Sequence, residues 1–199
     1  MTLLDRNGMT TVERNAAEER VSKKRAVELF DRGYLDRLDV GKFAALKLIH
    51  KYMFGDVYEN AGEMRTVNIV KGKMRFTPVE GLATALDFVD IMPMTTFNDI
   101  ISKYVQMNVA HPFRSGNGRT TRIWLDAMLK KTFSVMVNWS AISKDAYKAA
   151  LEKSALYDGE LKELIGNALT RDIGRLTYLK GVDASFYFEG LSNYRAQDL

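Results

Sequence analysis

The stretch that decides the fold runs from residue 111 to residue 122 and reads His-Pro-Phe-Arg-Ser-Gly-Asn-Gly-Arg-Thr-Thr-Arg. Its Gly-Asn-Gly turn opens directly onto a segment with helical periodicity. Successive backbone N–H groups in such a turn form a concave anion-binding nest, and a helix N-terminus adds about half a positive charge. Arg119 and Arg122 are three residues apart and therefore project from the same side of the first turns. The stretch predicts a helix whose N-terminus holds a polyphosphate.

A histidine, His111, lies at the other end of this loop. Histidine accepts a proton near neutral pH, so a base beside a phosphate cradle indicates group transfer to a hydroxyl. Taken singly, such a turn is usually only an ordinary turn, and such a histidine is usually a packed or surface residue. The segment lacks the lysine and spacing of a P-loop and the glycine spacing of a dinucleotide-binding loop.

Outside this stretch the periodicity is that of an all-α fold, a compact helical bundle. The chain has three prolines in 199 residues, and its apolar residues recur at helical spacing. Helices are predicted over about 11–31, from about 39 to 55, over 79–90, from an N-cap at Thr96, over 117–131, after N-caps at Ser143 and Asp158, and over about 182–194.

One segment, 66–76, breaks the helical pattern. Apolar and polar residues alternate on both sides of Lys71-Gly72, which predicts a β-hairpin. Because a single hairpin is marginally stable alone, this one is expected to pack on the helices or to take up a partner strand.

The composition is that of a globular protein, with 46% hydrophobic and 27% charged residues. There is no cysteine, which excludes disulfides and thiolate metal sites and favours a reducing compartment. No apolar run has the length of a membrane span. The net charge of +4 is not concentrated in a basic run, so direct nucleic-acid binding is not expected. These observations predict a cytoplasmic protein.

The segment 111–122 resembles the motif of the Fic (filamentation induced by cAMP) family, which reads His-Pro-Phe, any residue, an acidic residue, Gly-Asn-Gly-Arg, two residues, Arg. Eight of the nine fixed positions match, namely His111, Pro112, Phe113, Gly116, Asn117, Gly118, Arg119 and Arg122. A second stretch also fits the family: His50, Phe54, Gly55, Tyr58, Ala61, Gly62 and Arg65. His50 itself is expected to cap or pack the second helix.

The resemblance implies a single Fic domain over 1–199, with an N-terminal helical extension over about 1–32. It implies a Fic-type helical bundle whose one β-hairpin, called the flap, lies at 66–76. It further implies a bacterial protein adenylyltransferase, a nucleotidyltransferase that moves AMP from ATP to a Ser, Thr or Tyr hydroxyl of a target protein. The target would dock on the flap as an added strand.

The resemblance also assigns roles to the site residues. His111 would be the catalytic base, and Phe113 an anchor of the loop in the core. The α- and β-phosphates would lie on Asn117 and on the N–H groups of its neighbours. Arg119 and Arg122 would pair with the β- and γ-phosphates. The full set implied to hold or cover ATP is Gly116, Asn117, Gly118, Arg119, Arg122, Val70 and Lys71.

The chain departs from the motif at Ser115, where the family has an acidic residue that helps to bind magnesium. A hydroxyl is a weaker ligand than a carboxylate, although serine ligates magnesium in P-loops. ATP with Mg²⁺ is the implied substrate, and three alternatives stay open. The metal is bound more weakly, it is held differently, or the chain is a nucleotide-binding interaction module with little turnover.

The tail resembles the inhibitory motif of the short Fic proteins that carry an inhibitory helix at the C-terminus. The matching residues are Ser185, Glu189, Gly190 and Asn193. In that class the glutamate pairs with the second arginine, here Arg122, which then cannot hold the γ-phosphate. Because an exposed ion pair contributes only about 0–1 kcal/mol, this pair is expected to be partly buried and bidentate.

Composition alone favours a plainer interpretation of the tail, a terminal helix that covers the core with Glu189 in solvent. Tyr187 carries a hydroxyl within the inhibitory segment and is a candidate site of self-modification. A homo-oligomer, in which docking between copies would strengthen the inhibitory contact, is left open.

Overall fold

The structure is a computed structural model that describes residues 10–72 and 74–199. The first part of the expected N-terminal extension, residues 1–9, therefore lies outside the described residues. The described helices are α1 Thr11–Asp31, α2 Phe43–Phe54, α3 Val79–Ile91, α4 Phe97–Ala110, α5 Asn117–Phe133, α6 Lys144–Ser154, α7 Gly159–Asn167 and α8 Arg175–Phe188. The all-α prediction is confirmed.

Helix α5 runs through the centre of the bundle and packs against α2, α4 and α8. Its residues 119–129 are all buried, whereas a surface helix buries one stripe. Three of these residues, Arg119, Arg122 and Asp126, are charged. Buried charges need partners inside the protein, so the first turns of α5 concentrate polar contacts at one end of the core.

The helix starts follow the predicted caps in two cases of three. Thr96 forms a reciprocal capping box with Asp99 at the start of α4, and the Ser143 hydroxyl caps α6. Asp158 does precede α7, but its side chain makes no capping bond. Its carboxylate instead accepts a hydrogen bond from Ser102 and pairs with Lys162.

The prediction of a final helix over 182–194 is wrong at both ends, since α8 spans Arg175–Phe188. Gly190 adopts a φ of 85°, a left-handed conformation that glycine tolerates. Its N–H bonds the Tyr187 carbonyl at 2.9 Å, and the Leu191 N–H bonds the Phe186 carbonyl at 3.1 Å. This pair of bonds is the Schellman pattern that ends a helix. Glu189 is therefore the C-cap of α8.

The chain beyond α8 is fastened to α1 by a buried carboxylate. Glu19 is 0% exposed and accepts from the backbone and side-chain N–H groups of Asn193 at 3.0 and 2.8 Å. It also accepts from the Tyr194 N–H at 3.1 Å and from Lys23 at 3.0 Å. Lys23 in turn pairs with Asp183 of α8 at 3.1 Å. These contacts make α1 the support of the C-terminal segment.

The predicted hairpin is confirmed but is shorter than 66–76. Strand β1 (Val70–Lys71) pairs antiparallel with β2 (Met74–Arg75), and the stems on either side are irregular. A second small sheet, β3 (Met136–Val137) with β4 (Leu169–Thr170), was not predicted. Within residues 10–72 and 74–199, no helix is both long enough and apolar enough to cross a bilayer.

Candidate active site

Two adjoining cavities lie between the start of α5, the hairpin and the end of α8. Both are lined by Lys71, His111, Gly118 and Glu189. The apolar cavity, of about 190 Å³, continues past Phe76, Arg122, Tyr147, Leu151 and Phe188. The polar cavity, of about 250 Å³, continues past Val70, Arg114, Ser115, Asn117 and Arg119. Most of the predicted site residues therefore line one or both cavities.

His111 is the C-cap of α4 and lies in the left-handed region, with a φ of 50°. Its ring stacks on Phe76 of the hairpin stem, with centroids 3.6 Å apart. Burial, together with the charges of Lys71 and Arg65, lowers the pKa of His111 to about 4. The imidazole is therefore neutral at neutral pH and has a free lone pair to accept a proton.

The loop between α4 and α5 is held from inside. Phe113 is buried, and its ring stacks on His50 at 3.9 Å. The Asn117 side chain accepts from the Phe113 N–H at 2.9 Å and donates to the Phe113 carbonyl at 2.7 Å. Gly116 has a φ of 79°, and a Cβ there would lie 2.7 Å from the ring of Phe54. The Asn117 amide thus shapes the loop, and the backbone N–H groups are left to face an anion.

His50 is a packing residue, as expected. Its Nδ1 accepts from the Gly62 N–H at 2.9 Å, and its Nε2 lies 2.9 Å from the carbonyl of Ser115. A neutral ring protonated on Nε2 satisfies both contacts. Burial lowers the pKa of His50 to about 4, which keeps the ring neutral.

Ser115, at the position where the motif has its acidic residue, offers a single hydroxyl oxygen as a metal ligand. Its side chain is exposed, and its hydroxyl lies 3.1 Å from the hydroxyl of Tyr58. Across residues 10–72 and 74–199, no group of three or more His, Cys, Asp or Glu side chains is placed to hold an ion. Magnesium is commonly bound through one or two protein oxygens plus substrate phosphates. A single hydroxyl fits an ion whose further ligands would come from the phosphates of a bound nucleotide.

Arg119 reaches back toward α1 and away from Arg122. It pairs with Glu18 at 2.8 Å, and its guanidinium lies over the rings of Phe54 and Phe186 at 4.7 and 5.2 Å. Its Nε and Nη1 are buried and have no hydrogen-bond partner among the described residues. A buried donor without an acceptor is costly. Both nitrogens have almost no accessible surface, so an anion in the polar cavity reaches their N–H groups only if the Arg119 side chain turns toward it.

Arg122 is 2% exposed and is bound by α8. Its Nε donates to the Ser185 hydroxyl at 2.7 Å, and its Nη2 donates to the Ser185 carbonyl at 2.8 Å. The guanidinium lies beside the stacked rings of Tyr147 and Phe188, at 5.5 and 5.4 Å from their centroids. Ser185, one of the residues that match the inhibitory motif, is thus a direct hydrogen-bond partner of Arg122.

Glu189 joins Arg122 through one oxygen only, so the expected bidentate geometry is wrong. Its Oε1 accepts from Arg122 Nη2 at 2.8 Å, while its Oε2 lies 3.3 Å from Lys71 Nζ. The reason is that Ser185 already occupies part of the guanidinium fork. Burial alone would raise the pKa of Glu189, but the charges of Arg122 and Lys71 lower it to about 2. The carboxylate is therefore ionised at neutral pH.

The carboxylate of Glu189 lies directly against the backbone of the first turn of α5. A Cβ built on Gly118 would stand 2.5 Å from Glu189 Oε1. The N-terminal turn of a helix attracts anions through its free N–H groups and its dipole. Glu189 thus lies at the position that suits the phosphate of a ligand.

Comparison with known proteins agrees with this geometry. Residues 41–129, which run from before α2 to the last turns of α5, match the sequence model of the Fic/DOC family. The chain carries a Fic domain.

Two relatives of this Fic domain are named as protein adenylyltransferases. "Protein adenylyltransferase VbhT" of Bartonella schoenbuchensis is 32% identical over 160 residues, which cover 73% of this chain and 32% of that protein. "Probable protein adenylyltransferase Fic" of Escherichia coli is 26% identical over 140 residues, covering 65% of this chain and 70% of that protein. The chain therefore spans about a third of the length of VbhT.

Solved structures share the fold. BepC of Bartonella tribocorum, with bound AMPPNP, has a TM-score of 0.69 at 17% identity, covering 85% of this chain and 91% of that one. The N-terminal Fic domain of a Bep effector from Bartonella sp. AR 15-3 has a TM-score of 0.67 at 18% identity, covering 85% of this chain and 87% of that one. At this identity the likeness concerns the fold alone.

Four further residues predicted for the site of the Fic domain differ in their distance from the cavities and in their exposure. Gly190 ends α8, and Asn193 binds Glu19 away from both cavities. Val70 is 69% exposed at the rim of the polar cavity. Tyr187 is 53% exposed, with Lys144 Nζ 5.0 Å from its ring centroid.

Three residues at the site were missed as functional candidates: Glu18, Arg65 and Tyr147. Arg65 belongs to the second stretch that resembles the Fic family, so the sequence marked its position but did not indicate what the side chain does. Glu18 pairs with a residue 101 positions later in the chain, and Tyr147 faces one 25 positions earlier. No local pattern links residues so far apart.

Proposed function

We propose that this chain is a protein adenylyltransferase that transfers AMP from ATP to a Ser, Thr or Tyr hydroxyl of a protein and releases pyrophosphate. One observation carries the proposal: the neutral imidazole of His111 lines the same cavity as the first turn of α5. A proton acceptor and an anion site share that space. The names of the relatives support the same activity.

In the proposed reaction His111 takes the proton of the attacking hydroxyl. The hydroxyl oxygen forms a bond to the α-phosphorus of ATP, and the bond from that phosphorus to the bridging oxygen breaks as pyrophosphate leaves. A base with a pKa of about 4 is weak. The negative charges of a bound triphosphate favour the protonated ring and so raise the basicity of His111 once ATP is present.

The phosphates have donors of two kinds. The N–H groups at the start of α5 supply backbone donors, and the unpartnered Nε and Nη1 of Arg119 supply charged ones. Magnesium would enter with the nucleotide, and Ser115 is the protein oxygen that stands where the family has its acidic ligand.

The proposed regulation is that Glu189 inhibits its own site. Its carboxylate holds Arg122 and lies against Gly118, so a γ-phosphate has to displace it before reaching Arg122. We call the Arg122–Glu189 pair the inhibitory contact. Ser185 and the aromatic rings beside the guanidinium support it. Lys71 of the flap also holds Glu189, and the inhibited state therefore includes the flap.

The proposed docking surface for the target is the flap. Strand β1 is exposed, and its sheet contains two strands of two residues each. A target segment in extended conformation would add to it as a further strand and would bring its hydroxyl past Lys71 toward His111.

The test is the incorporation of label from α-labelled ATP into protein, with and without Mg²⁺. Glu189→Gly is expected to raise incorporation above wild type, and His111→Ala to abolish it. Glu163→Gln, an exposed change on α7, is the control and should match wild type. Absence of label from every variant while ATP still binds by calorimetry would replace the transferase with a nucleotide-binding module. Light scattering of the same samples reports whether copies associate.

A further inference from the structure

Arg65 is a buried cation behind the loop that carries His111, and it is 3% exposed. Its Nε donates to the His111 carbonyl at 2.8 Å, and its Nη2 donates to the Ala110 carbonyl at 3.2 Å. Its own backbone N–H bonds the Pro112 carbonyl at 2.8 Å. The last carbonyls of a helix lack partners within it and attract cations. Arg65 is thus the cap of the C-terminus of α4.

The same guanidinium holds both stems of the flap. Its Nη1 donates to the Val67 carbonyl at 2.9 Å, just before β1, and its Nη2 also bonds the Thr77 carbonyl, just after β2. Thr77 is fixed to α4 independently, because its N–H bonds the Val109 carbonyl at 3.0 Å. One side chain therefore joins the two ends of the hairpin to the end of the helix that presents the base.

The chemistry of these contacts calls for arginine. All four partners of the side chain are backbone carbonyls, and burial lowers the pKa of Arg65. A guanidinium offers five N–H donors in a rigid plane, whereas the ammonium of lysine is a point charge with three donors. A lysine at this position can reach some of the four carbonyls but cannot span them all.

The backbone of His111 needs such support. A non-glycine residue with a positive φ is uncommon and costs on the order of 1–3 kcal/mol unless the surroundings enforce it. The carbonyl of His111 is the one that Arg65 Nε holds. The same contact fixes the direction in which the imidazole leaves the end of α4.

We propose that Arg65 is a positioning residue for the transfer reaction. Its four carbonyl bonds fix His111 in the left-handed conformation and join it rigidly to both stems of the flap. The base and the surface that receives the target then keep one relative geometry. This inference rests on the proposed function, but its geometric part can be measured without turnover.

The test compares Arg65→Lys and Arg65→Gln with Arg37→Lys. Arg37 is a matched control, since it is an exposed arginine whose guanidinium also bonds two backbone carbonyls, those of Gly33 and Arg32. In both Arg65 variants, hydrogen exchange of the flap amides is expected to rise by at least about tenfold. The initial rate of AMP transfer is expected to fall by roughly 10- to 100-fold, as a misplaced base does. The Kd for ATP should stay at its wild-type value.

A titration of His111 by NMR separates positioning from mere stability. The charged groups that act on this ring are Lys71 and Arg65, which lower its pKa, and Glu189, which raises it. Arg65→Gln removes a charge and should raise the pKa of His111, whereas Arg65→Lys keeps the charge and should change it much less. A loss of stability alone would not separate the two variants.

The proposal would be overturned if Arg65→Lys had the flap exchange rates and the transfer rate of wild type. The control, Arg37→Lys, is expected to have wild-type values of both. If Arg65→Gln does not fold, Arg65→Lys decides alone through exchange and rate. If neither wild type nor Glu189→Gly transfers AMP, the proposed function fails. The exchange and titration results then still confirm or overturn the link between His111 and the flap.

Discussion

Replacing Glu189 by glutamine tests the inhibitory contact, because the change removes the charge of the carboxylate and keeps the size of the side chain. One oxygen of Glu189 accepts from Arg122 Nη2 at 2.8 Å, and the other lies 3.3 Å from Lys71 Nζ. ATP has to displace this side chain to place its γ-phosphate on Arg122. We therefore expect Glu189→Gln to tighten the binding of ATP.

The magnitude follows from the two contacts. A hydrogen bond to a charged group contributes about 1.5–3 kcal/mol. Glutamine keeps a hydrogen bond to the charged Arg122 and loses only the ion-pair part, taken as about half of that, roughly 1–1.5 kcal/mol. The pair with the exposed Lys71 adds about 0–1 kcal/mol. The sum of about 1–2.5 kcal/mol corresponds to a Kd for ATP that is lower by roughly 5- to 70-fold.

The assay is calorimetry with ATP and with ADP in a His111→Ala background, which prevents turnover. ADP lacks the γ-phosphate, so its Kd is expected to change much less than that of ATP. Glu163→Gln in the same background is the control. An unchanged Kd for ATP in Glu189→Gln, or equal gains for ATP and ADP, would refute the reasoning that Glu189 competes with the γ-phosphate for Arg122.

Three further predictions concern other parts of the site. Glu18→Gln is expected to tighten ATP and ADP alike, because it releases Arg119 for the β-phosphate; calorimetry that finds neither affinity raised would contradict this. Ser115→Asp is expected to make nucleotide affinity depend more steeply on Mg²⁺, since a carboxylate is a charged and harder ligand; an unchanged dependence in a magnesium titration would place the ion elsewhere. The free energy of unfolding is expected to fall as the pH decreases from about 6.5 toward about 4. The pKa values of His50 and His111 are about 4 in the folded protein and near 6.5 in the unfolded chain. Between these values the unfolded chain binds more protons than the folded protein, which favours unfolding. Urea denaturation measures this. Because burial raises the pKa of Asp126 to about 7, this carboxyl opposes the two histidines over the same range, so a stability that rises as the pH falls from about 7 to about 5 would show that these rings are not held neutral by the fold.

The helices could be predicted where a local signal sets their ends. Thr96 and Ser143 cap the helices that they were expected to cap, because an N-cap depends on the next three residues alone. The last helix was misplaced because its end depends on the left-handed conformation of Gly190, and its start at Arg175 has no capping side chain. The strands β3 and β4 escaped prediction since two residues carry no period.

The site could be predicted as far as its residues are neighbours in sequence. The segment 111–122 contains the proposed base, the turn and both arginines, and all were identified as candidates from it. The neighbouring sequence does not show what each arginine binds. Arg119 pairs with Glu18 of α1. Ser185 accepts hydrogen bonds from the Arg122 donors that a bidentate pair with Glu189 would need. Contacts between distant elements depend on packing, which a single sequence does not reveal.

Glu189 reaches the first turn of α5 as part of the same chain, so the competition with a nucleotide that we propose is an intramolecular one. A tethered group acts at an effective concentration, about millimolar for a short flexible linker. Here the tether is stiff, because α8 precedes Glu189 and the bonds between Asn193 and Glu19 follow it. Dilution of the protein therefore leaves the occupancy of the site by Glu189 unchanged, while a rising nucleotide concentration lowers it. Under the proposed inhibition, the nucleotide concentration that displaces Glu189 thus depends partly on how firmly α1 holds the C-terminal segment.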